Sequence, residues 1–403
     1  MLTVAEARAR ILLGVPVLDS ETVELLQSRD RILAEDVRAV RDVPPFTNSA
    51  MDGYALRASD IAPATRERPV ELRLLGEVRA GAAAGLAVEQ GSAIRIMTGA
   101  MLPQGADAVV RVEDTAEADG QVQIRIPVGT GVNIRAAGTD VAEGSVVATP
   151  GRLITPGLIG VLASAGRNTV RCVRQPRVLV LSTGDELRNA GESLGPGQIT
   201  NTNRYSLLAA LAAAGAVGLD AGAAPDEREA LAERLELARD ADLVLTTGGV
   251  SMGAYDLVRS LLEERDAVDF WQVALRPGKP LIFGSIRGVP LIGLPGNPVS
   301  ALVGFELFVK PALRRMQGRS DSGPTLLPAI SEERLGAIPG LEQYLRGVAR
   351  RESGRLLVKL TGNQGSHVLR SMADGNCLVQ VLPGDREVAA GSAVEIIPLV
   401  PLD

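Results

Sequence analysis

The chain has 403 residues and a mass of 42.1 kDa, with 46% apolar and 22% charged residues, a composition that excludes a disordered protein and leaves room for about two to four domains. A net charge of −6 and a pI of 5.2 exclude a chain whose main work is to coat nucleic acid or an anionic membrane. A single histidine, His367, and two cysteines far apart, Cys172 and Cys377, exclude HExxH and two-histidine metal sites, zinc fingers and a disulfide framework.

Residues 1 to about 40 open with apolar positions at helical spacing, and Thr3 and Glu6 form a capping box ahead of Ala7, Ile11 and Leu12. A second helix is predicted from Ser20 to Leu33. From Asp42 to Asp140, short β-rich runs such as VELRLLGEV and QVQIRI alternate with Gly, Pro and Asp turns, which predicts a small β domain. Residues 141–171 return to a strand-and-helix texture, so the β domain reads as an insertion (42–140) between two halves (1–41 and 141–171) of a linker domain. Residues 172–322 repeat an apolar strand, a polar Gly loop and a helix, the pattern of a parallel sheet covered on both faces, with ligands beyond the carboxyl ends of its strands. The uncharged run Tyr205 to Leu219 is shorter than the roughly 20 apolar residues a bilayer requires and reads as a buried helix. Residues 323–403 return to short β runs and predict a small closed or sandwiched β unit. The N-terminus lacks the features of a secretory signal, so a cytoplasmic protein with no membrane or nucleic-acid partner is expected.

Three loops follow strands of the α/β segment: Ser182-Thr183-Gly184-Asp185-Glu186, Thr246-Thr247-Gly248-Gly249-Val250-Ser251-Met252-Gly253, and Leu294-Pro295-Gly296-Asn297-Pro298. Each supplies glycines that admit backbone N–H groups, hydroxyls and a following helix N-terminus, which together suit an oxyanion. Any one of them reads equally as an ordinary strand-to-helix turn; three in one sheet favour a shared site. None is a Walker A or GxGxxG loop. Asp185, Glu186 and Asp256 fall in or just after the same loops, and acids beside an anion cradle suit a bridging Mg²⁺, although Glu186 reads equally as a helix-capping acid. Arg276-Pro277-Gly278-Lys279-Pro280 is a stiffened basic loop able to clamp phosphate, in a chain with only three lysines, Lys279, Lys310 and Lys359.

Taken in order, PPFTNSAMDGYA (44–55), MTGAMLPQGADAVVRVED (97–114), NIRAAGTD (133–140), STGDEL (182–187), TTGGVSMGAYD (246–256), RPGKP (276–280), GLPGNP (293–298) and NQGSHVLRSMADGN (363–376) resemble the molybdopterin molybdenumtransferase family, which is related to the gephyrin E domain. The resemblance covers essentially the whole chain. It implies a multidomain α/β plus β protein with a doubly wound molybdopterin-binding domain, an inserted β domain, a linker domain and a C-terminal β domain, assembled as a homodimer. It further implies a reaction in which adenylylated molybdopterin and molybdate give molybdenum cofactor and AMP with Mg²⁺. Carried over position by position, Asp52, Thr98, Asp140, Glu186, Asp256 and Lys279 fall on catalytic positions, and Asp185 and Glu186 on metal ligands. Arg135, Ser182, Thr183, Gly184, Gly248, Gly249, Ser251, Arg276, Pro295, Gly296 and Asn297 fall on substrate-binding positions. Because several of these lie in the insertion, the resemblance implies a cleft shared between subunits, with a molybdopterin-adenylylating protein as a further partner. Arg276 stands where the family commonly has Lys, and Gly375 where Ala is usual. Two alternatives remain: adenylyl transfer to molybdopterin, which would not need the insertion, and a binding scaffold without turnover.

Overall fold

The computed structural model describes residues 1–82, 85–225, 227–248, 268–384 and 387–402. Its contacts divide the chain into two units, residues 22–29 with 33–172 and residues 1–21, 30–32 with 173–403. Helix α1 (Val4–Gly14) starts at the expected capping box: the Thr3 hydroxyl accepts from the Glu6 N–H at 3.2 Å and the Glu6 carboxylate accepts from the Thr3 N–H at 2.8 Å. The helix expected over Ser20–Leu33 does not form. Ser20–Glu24 is a strand and Leu25–Ser28 a 3-10 turn, with the Leu25 N–H donating to the Asn168 carbonyl at 3.0 Å, so a long-range backbone bond overrides a weak local spacing.

In the unit of residues 22–29 and 33–172, six strands form one sheet: β1 (Gly53–Leu56), β2 (Val70–Val78), β3 (Ser92–Ile96), β4 (Ala108–Arg111), β5 (Thr115–Ala118) and β6 (Gln121–Ile124), in the order β4-β1-β3-β2-β6-β5. Alternation places Tyr54, Leu56, Ala108 and Val110 in one core and Ala55, Ile94, Ile96 and Val109 in another, so the sheet is covered on both faces. A third core gathers Leu33, Val37 and Cys172 around helix α2 (Pro156–Ser164), which buries Leu158 and Leu162.

The other unit is built on β7 (Arg177–Thr183), α3 (Thr202–Ala213), β8 (Val217–Ala224), α4 (Arg228–Leu235), β9 (Leu243–Thr247), β10 (Val268–Gln272), β11 (Pro280–Ile286) and β12 (Val289–Leu294), with sheet order β8-β7-β9-β12-β11-β10. The four strands β8, β7, β9 and β12 are parallel, as the apolar runs predict. β10, β11 and β12 pair antiparallel; β11 turns into β12 through Arg287 and Gly288, a two-residue hairpin turn with positive φ of 53° and 80°. The sheet is doubly wound. Val178, Val180, Leu243, Leu245 and Ile292 face a core with Ile11 of α1 and Leu207 of α3, while Leu179, Leu181, Val244 and Leu291 face Leu231 and Leu235 of α4. After β12, helix α5 (Pro298–Gly304) runs through a π turn at Phe305–Val309 into α6 (Lys310–Met316).

The C-terminal strands β13 (Leu327–Ser331), β14 (Glu342–Glu352), β15 (Arg355–Leu360), β16 (Cys377–Val381) and β17 (Ala393–Pro398) follow the order β14-β15-β13-β17-β16, and β16 pairs back onto β14. The result is a closed five-stranded barrel filled by Ala349, Val358, Val379, Val381 and Ile396. Leu275–Arg276 pairs in parallel with Glu342–Gln343 at the head of β14, which ties the RPGKP loop to the barrel. Among the described residues, no helix is long and apolar enough to cross a membrane.

Candidate functional site

The carboxyl ends of β7, β9 and β12 open on one cleft of about 430 Å³, lined by Thr183, Glu186, Asn201, Asn203, Thr247, Gly248, Gly296 and Asn297. Hydrogen bonds link its walls. The Thr247 hydroxyl lies 3.2 Å from Ser182 Oγ, which lies 3.1 Å from Asn201 Oδ1; that oxygen also accepts the Arg204 N–H and so caps α3. Asn203 Nδ2 donates to the Gly296 carbonyl at 2.8 Å. Gly248 has φ +84°, and a Cβ there would lie 2.4 Å from the Thr183 carbonyl oxygen; a Cβ on Gly296 would lie 3.6 Å from Gly248 Cα. Two glycine loops therefore meet at the cleft, and only glycine fits the first. Three buried side-chain atoms of cleft-lining residues have no hydrogen-bond partner among the described residues: Thr183 Oγ1, Asn201 Nδ2 and Asn203 Oδ1.

Gly184 is buried at φ +148°, with the Glu186 carboxylate folded over it, 2.5 Å from where a Cβ would stand. Asp185 and Glu186 are exposed, whereas Pro295 is buried. Asn297 occupies the cap position of α5 with Pro298 in its first turn, but its side chain makes no capping bond and it lines the cleft instead. Gly249, Ser251 and Asp256 lie outside the described residues. Arg276 and Lys279 are exposed on a loop whose Gly278 packs on the start of α5, where a Cβ would lie 3.5 Å from the Ser300 carbonyl. Among the described residues no three His, Cys, Asp or Glu side chains gather into a metal cage.

The remaining candidates belong to the unit of residues 22–29 and 33–172. One oxygen of Asp52 accepts both the N–H and the hydroxyl of Thr98, each at 2.7 Å, and these bonds hold the Asp52 carboxyl below the usual carboxylate range. Arg135 pairs with Asn48 across a short antiparallel ladder, and Asn48 is buried with its Oδ1 unpartnered among the described residues. Asp140 is exposed, its backbone N–H donating to the Val43 carbonyl at 2.9 Å.

Sequence reasoning missed Arg346. It is fully buried on β14, its Nε donating to Ser371 Oγ at 3.0 Å and one Nη to the Gly365 carbonyl at 3.2 Å, while Nη1 has no partner among the described residues. No carboxylate among the described residues forms an ion pair with it, and burial pushes its pKa down to about 10. A buried, unpaired guanidinium is costly unless an anion meets it. The signal available was an arginine within the apolar run QYLRGVA, on the face of β14 that carries Tyr344 and opposite to the face whose Ala349 fills the barrel.

Family models match three stretches: the MoeA N-terminal region (domain I and II) over residues 2–166, a probable molybdopterin binding domain over 179–315, and the MoeA C-terminal region (domain IV) over 328–399. A Haemophilus influenzae protein named molybdopterin molybdenumtransferase is 39% identical over 404 residues, covering 99% of this chain and 98% of that one. The Mycobacterium tuberculosis protein named molybdopterin molybdenumtransferase 2 is 39% identical, covering 93% of this chain and 94% of its own. A crystal structure of a molybdopterin biosynthesis moeA protein from Pyrococcus horikoshii superposes with a TM-score of 0.83 at 30% identity, over 99% of this chain and 100% of that one.

Proposed function

The chain belongs to the MoeA family of molybdopterin molybdenumtransferases, and from that premise we propose that it inserts molybdate into adenylylated molybdopterin and releases AMP. The observation that carries this reading is the convergence of the STGDE, TTG and PGNP segments on one cleft. Such a cradle binds by positioning and by fixed dipoles, so the reaction needs no protein nucleophile.

Lys279 and Arg276 balance phosphate charge at the RPGKP loop. The unpaired Arg346 guanidinium, with Ser371 beside it, supplies a charge of the kind that a small tetrahedral oxyanion such as molybdate neutralises. The donors at Asp185 and Glu186 fit Mg²⁺, which takes one or two carboxylates and keeps its other positions for water and phosphate oxygens. Held there, Mg²⁺ would offset the charge of the phosphoanhydride as AMP departs. Asp256 is read as a third acid of this site. Asp52, with Thr98 keeping it ionised, and Arg135 and Asp140 complete the site from the insertion of a second copy, so the active form is a homodimer. The protein works in the cytoplasm and receives its substrate from a molybdopterin-adenylylating protein.

The test supplies purified protein with adenylylated molybdopterin and Mg²⁺, with and without molybdate, and follows AMP together with molybdenum on the pterin. Molybdate-dependent AMP with matching metal incorporation is expected. Tight binding without AMP would favour a scaffold, and product from ATP plus molybdopterin would favour the preceding adenylylation. Asp185→Asn should lower AMP release at limiting Mg²⁺; unchanged release would remove that acid from the metal site.

A further inference from the structure

Away from the cleft, a second cavity of about 300 Å³ lies where α6 meets the end of β17. Pro311 has no N–H to offer the Leu307 carbonyl, which accounts for the π turn at Phe305–Val309, and such turns recur at functional sites. Glu306 in this turn, then Lys310 and Arg314 at four-residue intervals, all line the cavity. The rest of the lining is largely apolar, and solvent reaches it at Pro324, Pro398, Leu399 and Val400, the last 53% exposed. The charges of this lining do not balance. Lys310 Nζ donates to the Glu306 carboxylate at 2.8 Å, the two side chains being 27% and 14% exposed. Arg314 donates from one Nη to the Gly323 carbonyl at 2.7 Å and more weakly to the Asp321 carbonyl at 3.4 Å, and among the described residues it forms no ion pair. One positive charge is left over, in a protein whose net charge is −6. Beside apolar surface, that charge favours a partner that brings one negative charge and an apolar body. The rings of Pro311, Pro324 and Pro398 stiffen the walls, and the volume is that of a small-molecule pocket rather than a protein interface.

We propose that this cavity is a binding site for a small amphipathic monocarboxylate, with Arg314 and Lys310 taking the carboxylate and Pro324, Pro398, Leu399 and Val400 its apolar body. The assignment stands apart from the cleft and its reaction. A phosphate monoester is the poorer fit, because a dianion exceeds the single unbalanced charge and leaves the apolar lining unused.

The test measures binding of 4-phenylbutyrate to the full-length protein by calorimetry. Beside it run 4-phenylbutan-1-ol, which keeps the body without the charge, and acetate, which keeps the charge without the body. The expected result is that 4-phenylbutyrate binds at least about tenfold more tightly than either control, the scale of one hydrogen bond to a charged group. Arg314→Gln should weaken 4-phenylbutyrate about tenfold, for the same reason. Glu306→Gln removes the carboxylate that competes for Lys310 and should tighten binding several-fold, a gain that a misfolded protein cannot give. Lys359→Gln, on the barrel surface and outside the cavity, should leave the affinity unchanged. No binding of 4-phenylbutyrate, equal binding of either control, or an affinity that Glu306→Gln leaves unmoved or lowers each overturns the assignment. An equal loss in Lys359→Gln and Arg314→Gln also overturns it, because attraction to any surface cation would then explain the binding.

Discussion

Asp52 and Thr98 lie 46 residues apart, and nothing in composition or spacing pairs them; only the resemblance named both, and the fold shows them bonded. Because hydrogen bonds favour the ionised form, the folded pKa of Asp52 is depressed, and any stability from the pair is present above the ordinary carboxylate pKa and fades as pH falls through the folded value. Thr98→Val should therefore raise that pKa, seen by carbon NMR of the carboxyl, and move the acid limb of AMP release to higher pH. A carboxyl that titrates unchanged would show that the hydroxyl bond does not hold its charge and that the Thr98 N–H does so alone. Arg346 was hard to read for a different reason: charge and burial are opposed in any composition-based reading, and its burial beside Ser371 and Gly365, on the face of β14 turned away from the barrel core, emerges only from three dimensions. Arg346→Met should leave Tm within a few degrees, since it removes a buried charge along with two hydrogen bonds, yet raise the molybdate concentration for half-maximal AMP release by about tenfold or more. Unaltered molybdate dependence would take Arg346 out of the site.

Among the elements, the parallel strands were the most legible, because β7, β9 and β12 are near-continuous aliphatic runs ending in glycine loops. The hairpin joining β11 and β12 was not, since Arg287 at positive φ carries none of the usual Asn or Asp turn signal. The stretch 20–33 failed because its apolar residues satisfy a helical spacing that the tertiary backbone bonds do not use. The glycine loops are where element geometry and chemistry coincide. Gly248→Ala would place a methyl 2.4 Å from the Thr183 carbonyl at a left-handed φ, so a loss of about 2 kcal/mol or more is expected, measured by denaturant titration, with weaker binding of AMP. An unchanged midpoint would mean that the loop moves away from Thr183 at little cost. Gly296, whose surroundings leave room for a Cβ, should tolerate the same change far better.

For the whole molecule, the proposed homodimer makes a prediction that no single chain can. If the site draws on the insertion of one copy and the α/β domain of the other, Asp52→Asn and Asp185→Asn proteins are each inactive alone. Mixed after unfolding and reassembly, half of the dimers are mixed and each has one intact site, so about a quarter of full activity should return. No recovery, with mixed dimers shown by mass, would place both acids in a site within one subunit. The layout of the chain has a second consequence, for its synthesis. Helix α1 packs its Val4, Ala7 and Ile11 into the same core as Phe305, Leu313 and Met316. On a ribosome adding about 5–20 residues per second, the helix leaves the tunnel roughly 15–60 s before those partners exist. During that interval the unit of residues 22–29 and 33–172 has all of its sequence available to fold, while an apolar helix face waits at the other end of it.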